Sequence, residues 1–402
     1  MPIHYLQRTD YNMATNEALK ARISTLLEAY DAQGIHRTGT DVDTVSAEWM
    51  AEEIKKLGLW PELVGFPFER LDIKTASLTL GETNIEGVPQ YDGGVTGAEG
   101  ITGKIGPLLT TASIGLVKVP PHENHPDAKK LIDARRNHRH DAFIAVTDEE
   151  SVAPGIALMN SEDYLQPYGP PVLQVSSEHW QHLSAVASDG ETVKLVIDVE
   201  RTPTTAYNVQ TRIAGWNNSA SPLVVMTPRS GWWQCTSERG GGLAVWFEMM
   251  RTLAESGPRR PVIFTANTGH ELSHIGLQVF LENNPKLIQS AHLWVHLGAN
   301  FAAVKVPEMN ALRFQASDEN MQKQALDALA EQGIVPESVK PIPDRPSGEA
   351  RNIFDGGGRY ISLLGSNGLF HHPDDRWPHA LDLDRTSAIT QACNQLSLQL
   401  VS

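Results

Sequence analysis

Cysteine is scarce in this chain of 402 residues: Cys235 and Cys393 are the only two, so no disulfide framework holds it together. Two thiols suit a reducing compartment. No stretch approaches the ~20 apolar residues of a membrane span, and the start, Met1 to Arg8, lacks the apolar core of a signal peptide. A soluble, cytoplasmic protein is the expectation. Positive charge is in deficit, with Lys+Arg 33 against Asp+Glu 48 and a formal net charge of −15. That balance argues against a nucleic-acid partner and against an anionic membrane surface. A hydrophobic share of 41% excludes a disordered chain. At ~150 residues per domain, two or three domains are expected.

Apolar periodicity organises the rest. Leu19, Ile23, Leu27 and Tyr30 predict a helix over 15–33, and a second amphipathic stretch covers 44–57. Residues 66–80 read as strand with breaks. From 76 to 203 the apolar runs are short (115–119, 142–147, 171–175, 193–199), with helical patterns at 127–136 and 178–187. From about 205 the pattern becomes regular. Strand candidates at 209–213, 223–227, 262–266, 293–297, 312–316 and 361–364 alternate with helix candidates at 242–254, 272–281, 318–332 and 386–400. Alternation of this kind predicts an α/β fold, a mixed central sheet with helices on both faces, whose sites lie at the carboxyl ends of strands. Residues 1–75 and 204–402 form this domain, and 76–203 is a smaller β-rich α/β insert that lids the site.

One literal motif stands out, His270-Glu271-Leu272-Ser273-His274. On a helix its two histidines would share a face and could hold Zn²⁺. Here it follows a buried strand and a glycine turn, 260–269, which places it at a strand end and not inside a long helix. Cys235 has no base partner in its surroundings, and Ser230 and Ser237 lack a nucleophile-elbow sequence, so thiol and serine hydrolase chemistry is not indicated.

The order of segments carries more. Ala206-Tyr207-Asn208-Val209, the strand at 222–227, Ser237-Glu238-Arg239-Gly240-Gly241-Gly242 opening a helix, Val262-Ile263-Phe264, Gly269-His270-Glu271-Leu272, Gly276-Leu277 and the late Phe370-His371-His372-Pro373-Asp374-Asp375 follow one another. This resembles the zinc aminopeptidase superfamily that includes the glutaminyl cyclases, over nearly the whole chain. The middle block resembles the protease-associated insert of many members. The resemblance implies two zinc sites, and the residues at the matching positions divide unevenly. Arg229 and Gly298 stand where one zinc has its own histidine and aspartate. Glu238, Glu271 and His371 keep the ligand types of the other. The resemblance therefore implies at most one divalent ion, Zn by preference, held by Glu238, Glu271 and His371 with a position open for chemistry.

His270 stands at the general-base position of the resembled family. It is read as a neutral base, as a replacement ligand, or as a turn residue. Arg229 is read as a grip for a substrate carboxylate or the oxyanion, or as a partner of Glu238 or Glu271. Trp232 and Trp233 could wall a pocket, and Arg351 could meet an acidic group. His274, His296 and His372 are candidates for an extra ligand or for support of a ligand. His122, His125, His138 and His140 of the insert read as solvated. The expected function is a metal-dependent hydrolase of an amide-like bond in a small-molecule or short peptide-like substrate, with ordinary aminopeptidase activity doubtful. The alternatives are a non-catalytic binding protein on the peptidase fold, and cyclase or lyase chemistry at one metal. Oligomeric state is left open, a homo-oligomer included.

Overall fold

The computed structural model describes residues 3–304 and 312–402. Two helices come first, α1 (Ile3–Asp31) and α2 (Asp41–Lys56). Then follow β1 (Pro61–Leu80), β2 (Thr83–Glu86), β3 (Val88–Pro89), β4 (Gly97–Pro107), β5 (Ile114–Val119), α3 (Pro126–Arg136), β6 (Ala142–Thr147), β7 (Val172–Val175), α4 (Trp180–Asp189) and β8 (Thr192–Ile213). The remainder is β9 (Leu223–Pro228), α5 (Gly241–Ser256), β10 (Val262–Asn267), α6 (Ile275–Asn283), α7 (Leu287–Ser290), β11 (Leu293–Leu297), β12 (Arg313–Ala316), α8 (Glu319–Glu331), β13 (Ser338–Val339), α9 (Ala350–Asp355), β14 (Tyr360–Leu364) and α10 (Leu383–Val401). Among these described residues, no helix is long and apolar enough to cross a membrane.

The central sheet runs β13-β12-β14-β11-β9-β10-β8. Strands β10, β9, β11 and β14 are mutually parallel, while β8 is antiparallel to β10 and β12 is antiparallel to β14. Alternate side chains of β9 explain the two covered faces. Leu223 and Val225 join one core with Trp246 and Met250 of α5 and Leu396 of α10. Val224 and Met226 join another with Leu277 of α6 and Ile353 of α9. The fold is thus the expected mixed α/β sheet with helices on both sides.

The sheet continues beyond β8 through β4-β5-β6-β7-β3. Here β4 to β7 are parallel neighbours, packed on α4 by one apolar cluster and on α3 by another. Residues 61–80 make one long strand where sequence breaks suggested interruptions. Strand β1 pairs with β8 from Pro61↔Thr211 to Thr79↔Lys194, with one register shift between Ile73 and Thr75. This two-stranded ribbon passes from the central core into the second one.

Candidate functional site

Four parallel strands deliver their carboxyl ends side by side, and the loops that leave them carry the polar residues. The backbone there is unusual. Cys235, Ser273, His274, Asn300 and His371 all have positive φ, a conformation that L side chains seldom adopt. Such strain concentrates where a structure has to aim side chains.

A closed charge cluster lies at the base. After β9 the chain reaches a wide helical turn, Thr236–Gly240, that runs into α5 and points Glu238 and Arg239 inward. Arg239 Nη2 lies 2.7 Å from Glu238 Oε1 and 2.9 Å from Glu271 Oε1. Its Nε donates to Ser230 O at 2.6 Å. Ser230 Oγ donates to Glu271 Oε2 (3.0 Å) and accepts from Gly269 N (2.8 Å). On the far side of Glu238, His371 Nε2 stands 3.2 Å from Oε1, and His371 Nδ1 meets Leu158 O at 2.5 Å. Burial opposes ionisation of Glu238, but Arg239 and His371 outweigh it and hold the carboxyl at about 2. Asp375 accepts from Ser237 N and Glu238 N, and burial raises its carboxyl to about 7.

Above the cluster opens a cleft of about 290 Å³ whose walls include His270, His274, Arg313, Arg351, Glu162 and His122. His270 Nδ1 lies 3.3 Å from Glu349 Oε1, and its ring stacks on His274 with centroids 4.7 Å apart. Burial, with Arg239 next, drives the His270 pKa well below its ordinary value, so the ring is neutral. Burial likewise raises Glu349 to about 8 although Arg239 pulls the other way. Residues 121–162 supply the opposite wall. Ser161 N donates to Glu271 O, and Ala153 N to Gly368 O.

The residues singled out in the sequence fall into distinct places. Glu238, Glu271 and His371 converge, but Arg239 stands between the two carboxylates. Among the described residues, no group of three or more His, Cys, Asp or Glu is arranged to hold a metal. Arg229 does not face the cleft. It is wholly buried, pairs with Asp43 (3.0 Å) and donates to Asp43 O and Tyr207 O, so it has no free face for a substrate. Trp232 is buried against Tyr91 and donates to Asn160, while Trp233 donates to His371 O. Arg351 does line the cleft, held by Glu162 (2.5 Å) and Glu123 (3.2 Å) of the middle segment. His274 bonds Asn352, His296 bonds Ser362, and His372 bonds Pro154 O, so each has a local structural partner.

Two readings need correction. The helix expected over 272–281 begins only at Ile275, because Gly269, Ser273 and His274 have positive φ and extend the turn after the strand through His274. The insert histidines are not all solvated. His140 is buried between Ala112 O and Leu108 O, and His122 stacks on Phe370 at 5.1 Å, its pKa depressed to about 4 by burial. The residues missed were Arg239, Glu349, Arg313, Glu162 and Asp375. Arg239 had a signal in its position next to Glu238 at a helix start, and Asp375 in closing the late segment 370–375, whereas Glu349, Arg313 and Glu162 meet the site only through tertiary folding.

No protein-family model matches the chain, and no curated protein matches it. Solved structures do. BSAP, a zinc aminopeptidase from Bacillus subtilis, superposes with a TM-score of 0.73 over 94% of both chains at 17% identity. A peptidase M28 precursor from Shewanella amazonensis gives 0.74 over 98% of this chain and 97% of its own, at 14% identity. An aminopeptidase from Aneurinibacillus sp. strain AM-1 gives 0.66, 94%, 92% and 15%. The fold is that of the zinc aminopeptidases. What this chain does with that fold rests on its own residues.

Proposed function

We propose that this chain binds a small amide-containing ligand on the zinc-aminopeptidase fold without a metal, an arginine having taken the metal's place. One observation carries the reading: Arg239 Nη2 at 2.7 and 2.9 Å from Glu238 and Glu271. A zinc ion would need carboxylate oxygens at roughly 2.0–2.2 Å in the same space. The guanidinium supplies a permanent positive charge to both carboxylates and closes the position. The residues as placed therefore do not fit the ion. The walls above remain suited to a ligand, with neutral His270 and His274 able to donate or accept hydrogen bonds.

A second reading has its own support. Neither oxygen of Glu238 accepts an aligned hydrogen bond, and His371 Nε2 also lacks one. The Leu158 carbonyl orients His371 as a supporting acceptor orients a ligating imidazole. With Arg239 displaced, Glu238, Glu271 and His371 would form a one-metal set that activates water for amide hydrolysis, with His270 as base. Cyclase or lyase chemistry would use the same set.

Zinc titration of dialysed protein, followed by metal analysis, separates these readings. The arginine reading expects no stoichiometric uptake by the natural chain and uptake by Arg239→Ala, whose carboxylates are released. Tight uptake of one equivalent by the natural chain overturns it and favours the hydrolase.

A further inference from the structure

From the charge balance of the cleft we infer that its ligand carries a single carboxylate and that Arg313 receives it. This names the ligand class of the binding site proposed above and rests on that reading. Strand β12 runs antiparallel to β14, with Arg313 opposite Leu364, so the first residue of β12 lies at the carboxyl end of the parallel strands. That register delivers Arg313 to the cleft wall.

The other arginines of the site are neutralised. Arg229 has Asp43, Arg239 has Glu238 and Glu271, and Arg351 has Glu123 and Glu162. Arg313 has no carboxylate partner among the described residues. Its one hydrogen bond runs from Nη2 to Gly365 O (3.3 Å), and its Nε is buried without a partner. A half-buried guanidinium left in this state is poorly solvated and favours an anion.

One arginine, Arg351, faces two carboxylates, Glu123 and Glu162, so acid is already in surplus on that wall and a second negative charge on the ligand is disfavoured. Beside Arg313 the rings of His122 and Phe370 lie parallel, 7° apart, and continue onto His371 at 3.8 Å. His122 and Phe370 both line the cleft and offer ring surface to an apolar or aromatic group. The ligand class is thus a small N-acyl amino acid or a similar molecule with one carboxylate, a planar amide and an apolar side group.

The test uses the full-length protein and calorimetric titration with N-acetylphenylalanine, its neutral amide N-acetylphenylalaninamide, and inorganic phosphate. The acid is expected to bind, and to lose roughly 10- to 100-fold in affinity in Arg313→Gln, the range for a charge-assisted bond, with Arg313→Lys falling between. Melting temperatures of both variants guard against misfolding. Equal affinity for acid and amide, no binding of the acid, tighter binding of phosphate, or an unchanged affinity in folded Arg313→Gln each overturn the inference. None of these outcomes changes zinc uptake, so the arginine-for-metal reading fails or stands separately.

Discussion

Arg239 decides more than any other single side chain. It is fully buried with two carboxylates, so removing it strands both. Arg239→Met should lower unfolding stability by ~3–5 kcal/mol, the range for breaking a buried ion pair from one side. Adding Glu238→Gln to that variant should recover part of the loss, because one stranded charge disappears. Urea denaturation of the three proteins checks both statements. Glu349 gives a pH signature of the opposite kind to Glu238. Its carboxyl sits at 4.5 in an unfolded chain and at about 8 when buried here. The folded state therefore keeps a proton that the unfolded state has released, and stability falls as pH rises from about 4.5 to about 8. Glu349→Gln should flatten that part of the stability profile. A profile with the same slope in the variant would locate the effect elsewhere.

Elements were readable from the sequence where periodicity and packing agree. The helix at 242–254 and the strands at 223–227, 262–266 and 293–297 are wrapped in apolar neighbours on the faces their patterns require. The turn from Thr268 to Ile275 was not, because its shape depends on left-handed residues that carry no apolar period. It depends also on Asn208, whose side chain accepts from Thr268 N (3.2 Å) and donates to Gly276 O (2.7 Å). That bridge presses the start of α6 against β10. A Cβ at Gly276 would collide with Thr268 O and Asn208 Oδ1. Gly276→Ala should therefore destabilise by ~1–3 kcal/mol, as overpacking does, although Ala is the better helix former. Thermal melting of this one variant tells the two effects apart, since a gain in Tm would mean the bridge is slack. The same logic explains the incomplete reading of the site: residue type and order located Glu238, Glu271 and His371, but which cation lies between them depends on a side-chain direction.

At the scale of the molecule, the expected division into a main domain and an insert becomes an experiment. The central core holds no residue between 73 and 199. Asp72 and Glu200 face each other across the ribbon, so a two-residue turn can join them. A chain lacking 73–199 is expected to unfold cooperatively in circular dichroism. It should no longer bind N-acetylphenylalanine, because His122 and the rest of the wall supplied by residues 121–162 are gone. Retained binding would show that the middle segment takes no part in the site.

The ribbon also sets how the molecule can move. A lid on two loose tethers swings like a jaw, whereas β1 and β8 are continuous through the junction and joined rung by rung. Such a joint is expected to flex as a leaf spring with a short stroke, yielding first at the register shift between Ile73 and Thr75, where one rung is missing. On the binding reading proposed above, a cleft of about 290 Å³ behind so short a stroke is expected to act as a sieve. It should admit molecules about the size of a capped amino acid and exclude a folded polypeptide, whatever the affinity of the groups within.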